Sequence, residues 1–412
     1  MTHTKTHRTL PALRPFLVLV HRWAGLGMAV FLFIAGLTGA IISWDHELDE
    51  WLNPQLFVAR SGSAAPLADP LALARRLEAA DPRLAVSFLP LHFEAGHTLN
   101  VGVYAHVDPA SDLPHALGFN QMAIDPASGE VQGRREWGAI SLAPENLLPF
   151  LYKLHYSMHL PDIGNLYFGM LVMGVIAVVW VVDCLAALWL SFPSAAAWRK
   201  SFAFRWRQGG YRLNFDLHRS GAVWTWTLLL ILSTSSVAMN LGPEVMRPLV
   251  RLFSPLTPSA YVDLRQANPP QQPIEPRLQR EEILALAQST ASQRGWPDPA
   301  GSIGYSEAYG IYAVTFHPPG EDHPNGGLGH PSLMFDGQTG ELLEIKVPGA
   351  GSAGDIFLHA QFPLHSGRIL GLPGRILISL MGLAVATLCV TGVVIWLRKR
   401  QARQRQAARD AQ

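Results

Sequence analysis

Two histidines stand four residues apart in Leu154-His155-Tyr156-Ser157-Met158-His159-Leu160, just before a long apolar run. In a helix, His155 and His159 would share one face, a turn apart. Three further apolar runs begin near a histidine: His21 in the first, His218 in the third and His365 in the fourth. Paired imidazoles from two helices fill both axial positions of a haem iron that only transfers electrons, leaving no open site. Four membrane helices with histidines near their ends therefore point to a transmembrane four-helix bundle that holds haem.

Those helices must come from the apolar part of the chain. Of its 412 residues, 49% are hydrophobic and 15% charged, against about 25% charged in soluble domains. Residues 23–44, 221–242 and 376–397 each run for 22 positions without Asp, Glu, Lys, Arg or His. Residues 166–182 add 17 more, followed by Asp183 and nine further uncharged positions to Phe192. A helix crosses a bilayer with roughly 20 such residues, so four spans are expected. Gly25, Gly27, Gly36 and Gly39 are expected to let a neighbouring helix approach the first span closely. Asp183 sits inside the second span, where a carboxylate needs a partner or a proton. Pairing with an arginine is the expectation, and a proton or quinol role the alternative. Cys184 and Cys389 also fall in spans and read as small apolar core residues, so the outer loops must fold without disulfides.

The net charge of +1 hides an asymmetry. Segments 1–22, 193–219 and 398–412 hold 16 of the 32 Lys and Arg residues and only two acidic ones, Asp216 and Asp410. Loops 45–162 and 243–375 hold 15 and 13 acidic residues against 7 and 9 basic ones. The positive-inside rule then places both termini and the 193–219 loop in the cytoplasm and the two long loops outside. The basic tail reads as a solvated stop signal, with no nucleic-acid partner. The first apolar run is too long for a signal-peptide core and reads as an anchor, so no cleaved leader is expected.

The expected order is a loose terminus over 1–15, a first span over 16–44, an extracytoplasmic domain over 45–162 and a second span over 163–192. A basic loop over 193–217, a third span over 218–242, a second extracytoplasmic domain over 243–367, a fourth span over 368–397 and a basic tail over 398–412 follow. Both domains read as small α+β units. In the first, residues 69–80 have helical spacing, and 86–90, 98–107 and 119–124 read as strands. The turn Asp125-Pro126-Ala127-Ser128-Gly129-Glu130 leads into a further strand, and 144–160 read as a helix running into the second span. In the second, 281–294 read as a helix and 311–316 and 332–336 as strands. The turn Asp336-Gly337-Gln338-Thr339-Gly340-Glu341 matches the first. Six prolines between Pro255 and Pro276 read as a stiff linker. His21-Arg22 answers to His218-Arg219. His155, nine residues before Gly164, answers to His365, nine residues before Gly374. The chain reads as span–domain–span, twice: an internal duplication with both copies in one orientation.

At this level the residues resemble the PepSY-associated transmembrane family. The resemblance rests on His21-Arg22-Trp23-Ala24-Gly25-Leu26, Gly36-Leu37-Thr38-Gly39, Glu47-Leu48-Asp49 and Asn53-Pro54 at one end. At the other end it rests on Pro363-Leu364-His365-Ser366-Gly367-Arg368, Gly371-Leu372-Pro373-Gly374-Arg375 and Thr391-Gly392. The two Asp-led turns resemble the closing strands of PepSY domains. The family includes iron-regulated inner-membrane proteins, among them a ferric-siderophore reductase with b-type haems between its helices. The resemblance implies a protein of the bacterial inner membrane that passes electrons to a periplasmic acceptor, ferric iron in a siderophore or similar chelate. It carries over through His21, His155, His218 and His365. His159 has no counterpart at the matching place in the last helix.

Topology sorts the ligands. His21 and His218 lie at the cytoplasmic ends of spans one and three, and they are assigned to an inner haem b. His155 and His365 lie at the outer ends of spans two and four, and they are assigned to an outer haem b. His159 is a substitute ligand, a group supporting the ligands or a ligand to a third haem. Arg22, Arg219 and Arg368 sit beside the proposed ligands, placed to pair with haem propionates. His46, His92, His97, His106, His115, His359 and the 317–330 loop with His317, Glu321, Asp322, His323 and His330 show no recognised metal spacing and read as solvated or interfacial. The chain lacks a nucleotide-binding fingerprint, so a cytoplasmic or quinone donor must supply electrons. Two other readings remain: a non-redox PepSY module that binds or regulates a periplasmic peptidase, and a transporter of an iron complex.

Overall fold

The computed structural model describes residues 13–64, 66–164, 166–192, 194–269, 271–321 and 326–412. Helix α1 (Leu13–Ile42) is the first apolar run, and α2 (Asp45–Leu52) and α3 (Pro54–Phe57) turn the chain away from it. Next come α4 (Pro70–Ala80), β1 (Leu84–Pro90), β2 (Leu99–Ala105), the short β3 (Val107–Asp108) and β4 (Leu113–Pro114), then β5 (Gln121–Ile124) and β6 (Val131–Arg135). Helix α5 (Pro144–Ser157) precedes the apolar α6 (Phe168–Ser191), and α7 (Gly210–Asn240) follows the basic loop. The second half holds α8 (Arg247–Arg251), α9 (Arg280–Gln293), β7 (Ala300–Ser306), β8 (Ile311–Phe316), β9 (Ser332–Asp336), β10 (Leu342–Lys346), α10 (Ala353–Ser366) and α11 (Leu372–Asp410).

Among the described residues, four helices, α1, α6, α7 and α11, are long and apolar enough to cross a membrane. Each packs on two neighbours: α1 on α6 and α11, α7 on α6 and α11. Thus α1 and α7 lie diagonally opposite, as do α6 and α11. At the α1–α11 crossing, Gly36 and Gly382 bring backbones so close that a Cβ on either would strike the other's carbonyl. Gly25 and Gly27, expected to serve the same end, have no atom near their Cβ positions.

The second and fourth spans begin later than expected. Residues 144–160 do not run into α6. Helix α5 stops where Met158 and His159 both take positive φ, 54° and 51°. In the second half, α10 stops at Gly367 with φ 74° before α11 starts. His155 and His365 therefore ride on separate short helices that pack against α1 and α7. The third span begins before His218, which lies two turns inside α7. The basic tail expected over 398–412 continues α11 to Asp410 and is exposed, whereas residues 1–12 of the loose terminus expected over 1–15 lie outside the described residues.

Beyond the bundle, eight of the described strands form one antiparallel sheet in the order β10-β9-β8-β7-β1-β2-β5-β6, and β3 and β4 pair as a separate hairpin. The two expected domains are thus joined edge to edge where Phe88, Leu89 and Pro90 pair with Gly304, Ile303 and Ser302. One apolar core runs beneath both halves, drawing Leu73 and Leu77 from α4 and Ile283, Leu284 and Ala287 from α9. Arg280 of α9 reaches Glu78 of α4 at 2.6 Å and the Val86 carbonyl at 2.6 Å, so the two helices are tied side by side. Motif residues of the family resemblance serve as struts to the bundle. Asn53 donates to buried Asp49 at 2.8 Å and to the Pro144 carbonyl at 2.9 Å, while Glu47 takes Arg375 of α11 at 2.7 Å.

The two Asp-led turns are the same object. Asp125 Oδ1 accepts from the N–H groups of Ala127 and Ser128 at 3.0 and 3.1 Å; Asp336 Oδ1 accepts from Gln338 and Thr339 at 2.8 and 2.8 Å. Gly129 and Gly340 close them with φ 71° and 74°, a region a side chain would strain. Burial raises the Asp125 carboxyl, but donation from Ser128, Ser61 and Ala127 outweighs it and holds the group down at about 2. This stabilisation is full above the unfolded carboxylate value of roughly 4 and fades as pH falls toward 2. Asp125→Ala should therefore cost about 2 kcal/mol near neutrality. The gap to wild type in thermal melts should narrow steadily below pH roughly 4; an undiminished gap at pH 2.5 would contradict this account.

Candidate functional site

The four repeat-matched histidines meet in two pairs. His21 of α1 and His218 of α7 face across the bundle diagonal with ring centroids 6.1 Å apart and planes at 47°. His155 of α5 and His365 of α10 stand 6.0 Å apart at 66° at the end nearer the sheet. On α1, the seat of His155 at Thr38 lies 17 residues beyond His21. At 1.5 Å per residue this separates the tail-side pair from the sheet-side pair by about 26 Å.

In all four histidines Nδ1 is occupied. His21 Nδ1 lies 2.9 Å from Oδ1 of Asp183 on α6. His155 Nδ1 donates to the Ala35 carbonyl at 2.9 Å, with Thr38 Oγ1 at 3.2 Å. His218 Nδ1 donates to the Leu388 carbonyl at 3.1 Å, with Thr391 Oγ1 at 3.2 Å. His365 Nδ1 meets Ser235 Oγ at 2.9 Å. These hydroxyls spend their own protons on carbonyls of their own helix, Thr38 on Ile34, Ser235 on Ile231 and Thr391 on Thr387. They can only accept, so the network assigns the Nδ1–H tautomer. No Nε2 of the four has a hydrogen-bond partner among the described residues. A ring held by Nδ1–H, its Nε2 lone pair free, is oriented as a metal ligand. Two glycines make room: a Cβ on Gly39 would stand 2.9 Å from His155 Cε1, and one on Gly392 2.9 Å from His218 Cε1.

Two nitrogens bound to one metal at roughly 2 Å each would hold their ring centroids roughly 6 Å apart. Both pairs have that separation. Among the described residues no third His, Cys, Asp or Glu completes a metal-binding group at either pair. The ligand count fits a group that brings its own in-plane donors, as haem does. Both pairs also open on cavities: about 440 Å³ around His21 and His218, about 240 Å³ around His155 and His365. Arg22 and Arg219 line the first and Arg368 the second. The buried Nε atoms of Arg22 and Arg219 have no partner among the described residues, which suits a missing anion; Arg368 lies 3.5 Å from Asp45. Trp180, Leu32 and Val385 line both cavities and form the wall between them.

Other candidates do not join these pairs. His159 stacks on Phe150 at 4.6 Å, and its Nε2 donates to the Phe150 carbonyl at 2.9 Å. Its positive φ turns it back on α5, whose end it closes. Asp183 pairs with His21, contrary to the expected arginine. His97 approaches Glu50 of α2 at 3.3 Å and His106 lies 2.8 Å from Glu275, two separate contacts away from both pairs. His317 and His330 stand 5.2 Å apart on their loop, whereas Asp322 and His323 lie outside the described residues. Thr38 and Thr391 belong to the motifs that carry the family resemblance, but nothing in the sequence marks them, or Ser235, as supports of the histidines.

The family model described as the PepSY-associated TM region matches residues 18–399, nearly the whole chain. No curated protein matches it.

Proposed function

The chain belongs to the family of the PepSY-associated TM region, and on that footing we propose that it is a dihaem b electron-transfer protein of the bacterial inner membrane. It serves an acceptor on the sheet side, ferric iron in a siderophore or similar chelate. The observation that carries this reading is the double pairing: two imidazole pairs at 6.1 and 6.0 Å, each ring held by Nδ1 with Nε2 free. When bound, a haem with two imidazoles supplies a one-electron centre without an open coordination site. The chain's part is to orient the four rings through Asp183, Ala35, Leu388 and Ser235. It also lines both cavities with apolar helix faces and offers Arg22, Arg219 and Arg368 to the propionates.

The halves of the chain support this reading as a duplicated unit. His218 and Ser235 on α7 are 17 residues apart, as are His21 and Thr38 on α1. The two strand meanders, β1-β2-β5-β6 and β7-β8-β9-β10, meet at equivalent edges and stand as two PepSY-like halves. The basic ends of α1 and α11 and the 193–219 loop lie in the cytoplasm on this reading, with the donor or quinone approaching there. In intact cells a membrane-impermeant thiol reagent should label Ser128→Cys and leave Ala408→Cys untouched. Labelling of Ala408→Cys alone would invert the orientation.

Haem content tests the function. Protein purified in detergent from haem-replete cells should give two b-type haems per chain by pyridine haemochrome, with a low-spin spectrum. Haem-free protein would overturn the redox reading.

A further inference from the structure

Three of the four Nδ1 seats are built alike. Each is a helix hydroxyl three residues after a carbonyl that faces the same ring: Thr38 with Ala35, Thr391 with Leu388, Ser235 with Leu232. All three offer only neutral acceptors. The fourth is Asp183, whose carboxylate stands 2.9 Å from His21 Nδ1. Asp183 is buried, and its ion-pair contact among the described residues is His21. A carboxylate inside a membrane span is costly and needs compensation. A bundle that only had to orient His21 had a hydroxyl seat at hand, used three times over.

Resting on the dihaem reading above, we propose that Asp183 lowers the reduction potential of the tail-side haem relative to what a hydroxyl seat would give. A ferric iron in a porphyrin dianion with two neutral imidazoles carries one net positive charge, and the ferrous form carries none. The buried carboxylate therefore gains the iron's positive charge as a compensation in the oxidised state and loses it on reduction. An Nδ1–H that donates to a carboxylate also makes its imidazole a more basic ligand, which favours ferric iron further. Both effects have the same sign. The guanidinium and ammonium groups that line this cavity, Arg14, Arg22, Arg219, Lys399 and Arg403, are unchanged by a substitution at Asp183, so exchange isolates the carboxylate. On the sheet side, His155 and His365 both donate to neutral groups, and no such lowering applies. Asp183 is a positioning residue: it acts through His21 and touches neither donor nor acceptor.

The test is a potentiometric titration followed in the visible spectrum. The transition missing from His218→Ala identifies the tail-side site. In Asp183→Asn and Asp183→Thr that midpoint should rise by at least tenfold in the reduction equilibrium, about 59 mV for one electron. The sheet-side midpoint should stay in place. Two haems per chain with the tail-side midpoint unmoved in both variants overturns the proposal. If a variant loses the tail-side haem, the reciprocal Ser235→Asp decides: a fall of the sheet-side midpoint supports the proposal and an unmoved one overturns it. Wild-type protein without haem would instead refute the dihaem reading beneath it.

Discussion

His365→Ala protein should carry one haem per chain against the two expected of the wild type on the proposed reading, and the loss should fall on the sheet side. His365 and His155 are the two rings of that pair, and among the described residues no third His, Cys, Asp or Glu gathers with them. With one imidazole gone, the remaining ligand cannot give a six-coordinate low-spin site. The tail-side pair lies about 26 Å away along α1 and shares no ligand with it. Its spectrum should persist unchanged in His365→Ala, and His218→Ala should show the complementary loss. His159→Ala should keep both haems, since that ring is taken up by the end of α5. Pyridine haemochrome against protein concentration, with the spectrum of each variant, decides the matter. Two haems in His365→Ala, or one in His159→Ala, would show that the ligands are misassigned.

The second large effect concerns the face at which the acceptor is served. Dithionite-reduced wild-type protein should be reoxidised by a ferric siderophore, and reduced His365→Ala by more than an order of magnitude more slowly. Asp45, Tyr152 and Arg368 line the sheet-side cavity, and on the proposed reading a bulky chelate approaches from this side. The tail-side pair lies about 26 Å farther along the helices. His218→Ala, reduced by dithionite, should keep the fast reaction, because its sheet-side pair is intact. Stopped-flow traces of the three proteins make the comparison. Equal rates in wild type and a His365→Ala verified to lack its sheet-side haem would place the acceptor elsewhere.

Much of this architecture was legible in the chain. A bilayer imposes the same requirement on every spanning segment, a run of apolar residues long enough to cross it. Four such runs can be read one at a time without knowing what each packs against. The repeated His-Arg and His-to-Gly spacings then paired His21 with His218 and His155 with His365, because equivalent positions on repeated helices tend to face one another. The matching turns at Asp125 and Asp336 were equally readable, since Asp, Ser or Thr and Gly act within a few residues of backbone.

What the sequence left open lies in contacts between distant segments. Residues 144–160 continue the helical pattern, yet the chain breaks at Met158 and His159; without that break His155 could not leave the line of α6 and turn toward α1. The edge of β1 looks like any strand edge until β7 hydrogen-bonds to it, which merged two expected domains into one sheet. Asp183 and His21 are 162 residues apart, and only the packing of α1 on α6 makes them partners. Arginine was the reasonable partner on charge alone. By itself, then, the sequence determined which segments enter the membrane, which turns close the strands and which histidines correspond. The tertiary structure decided which polar groups meet, because that depends on helix rotation, which no local pattern encodes; Gly36 announced a close approach but not that Gly382 would be its partner.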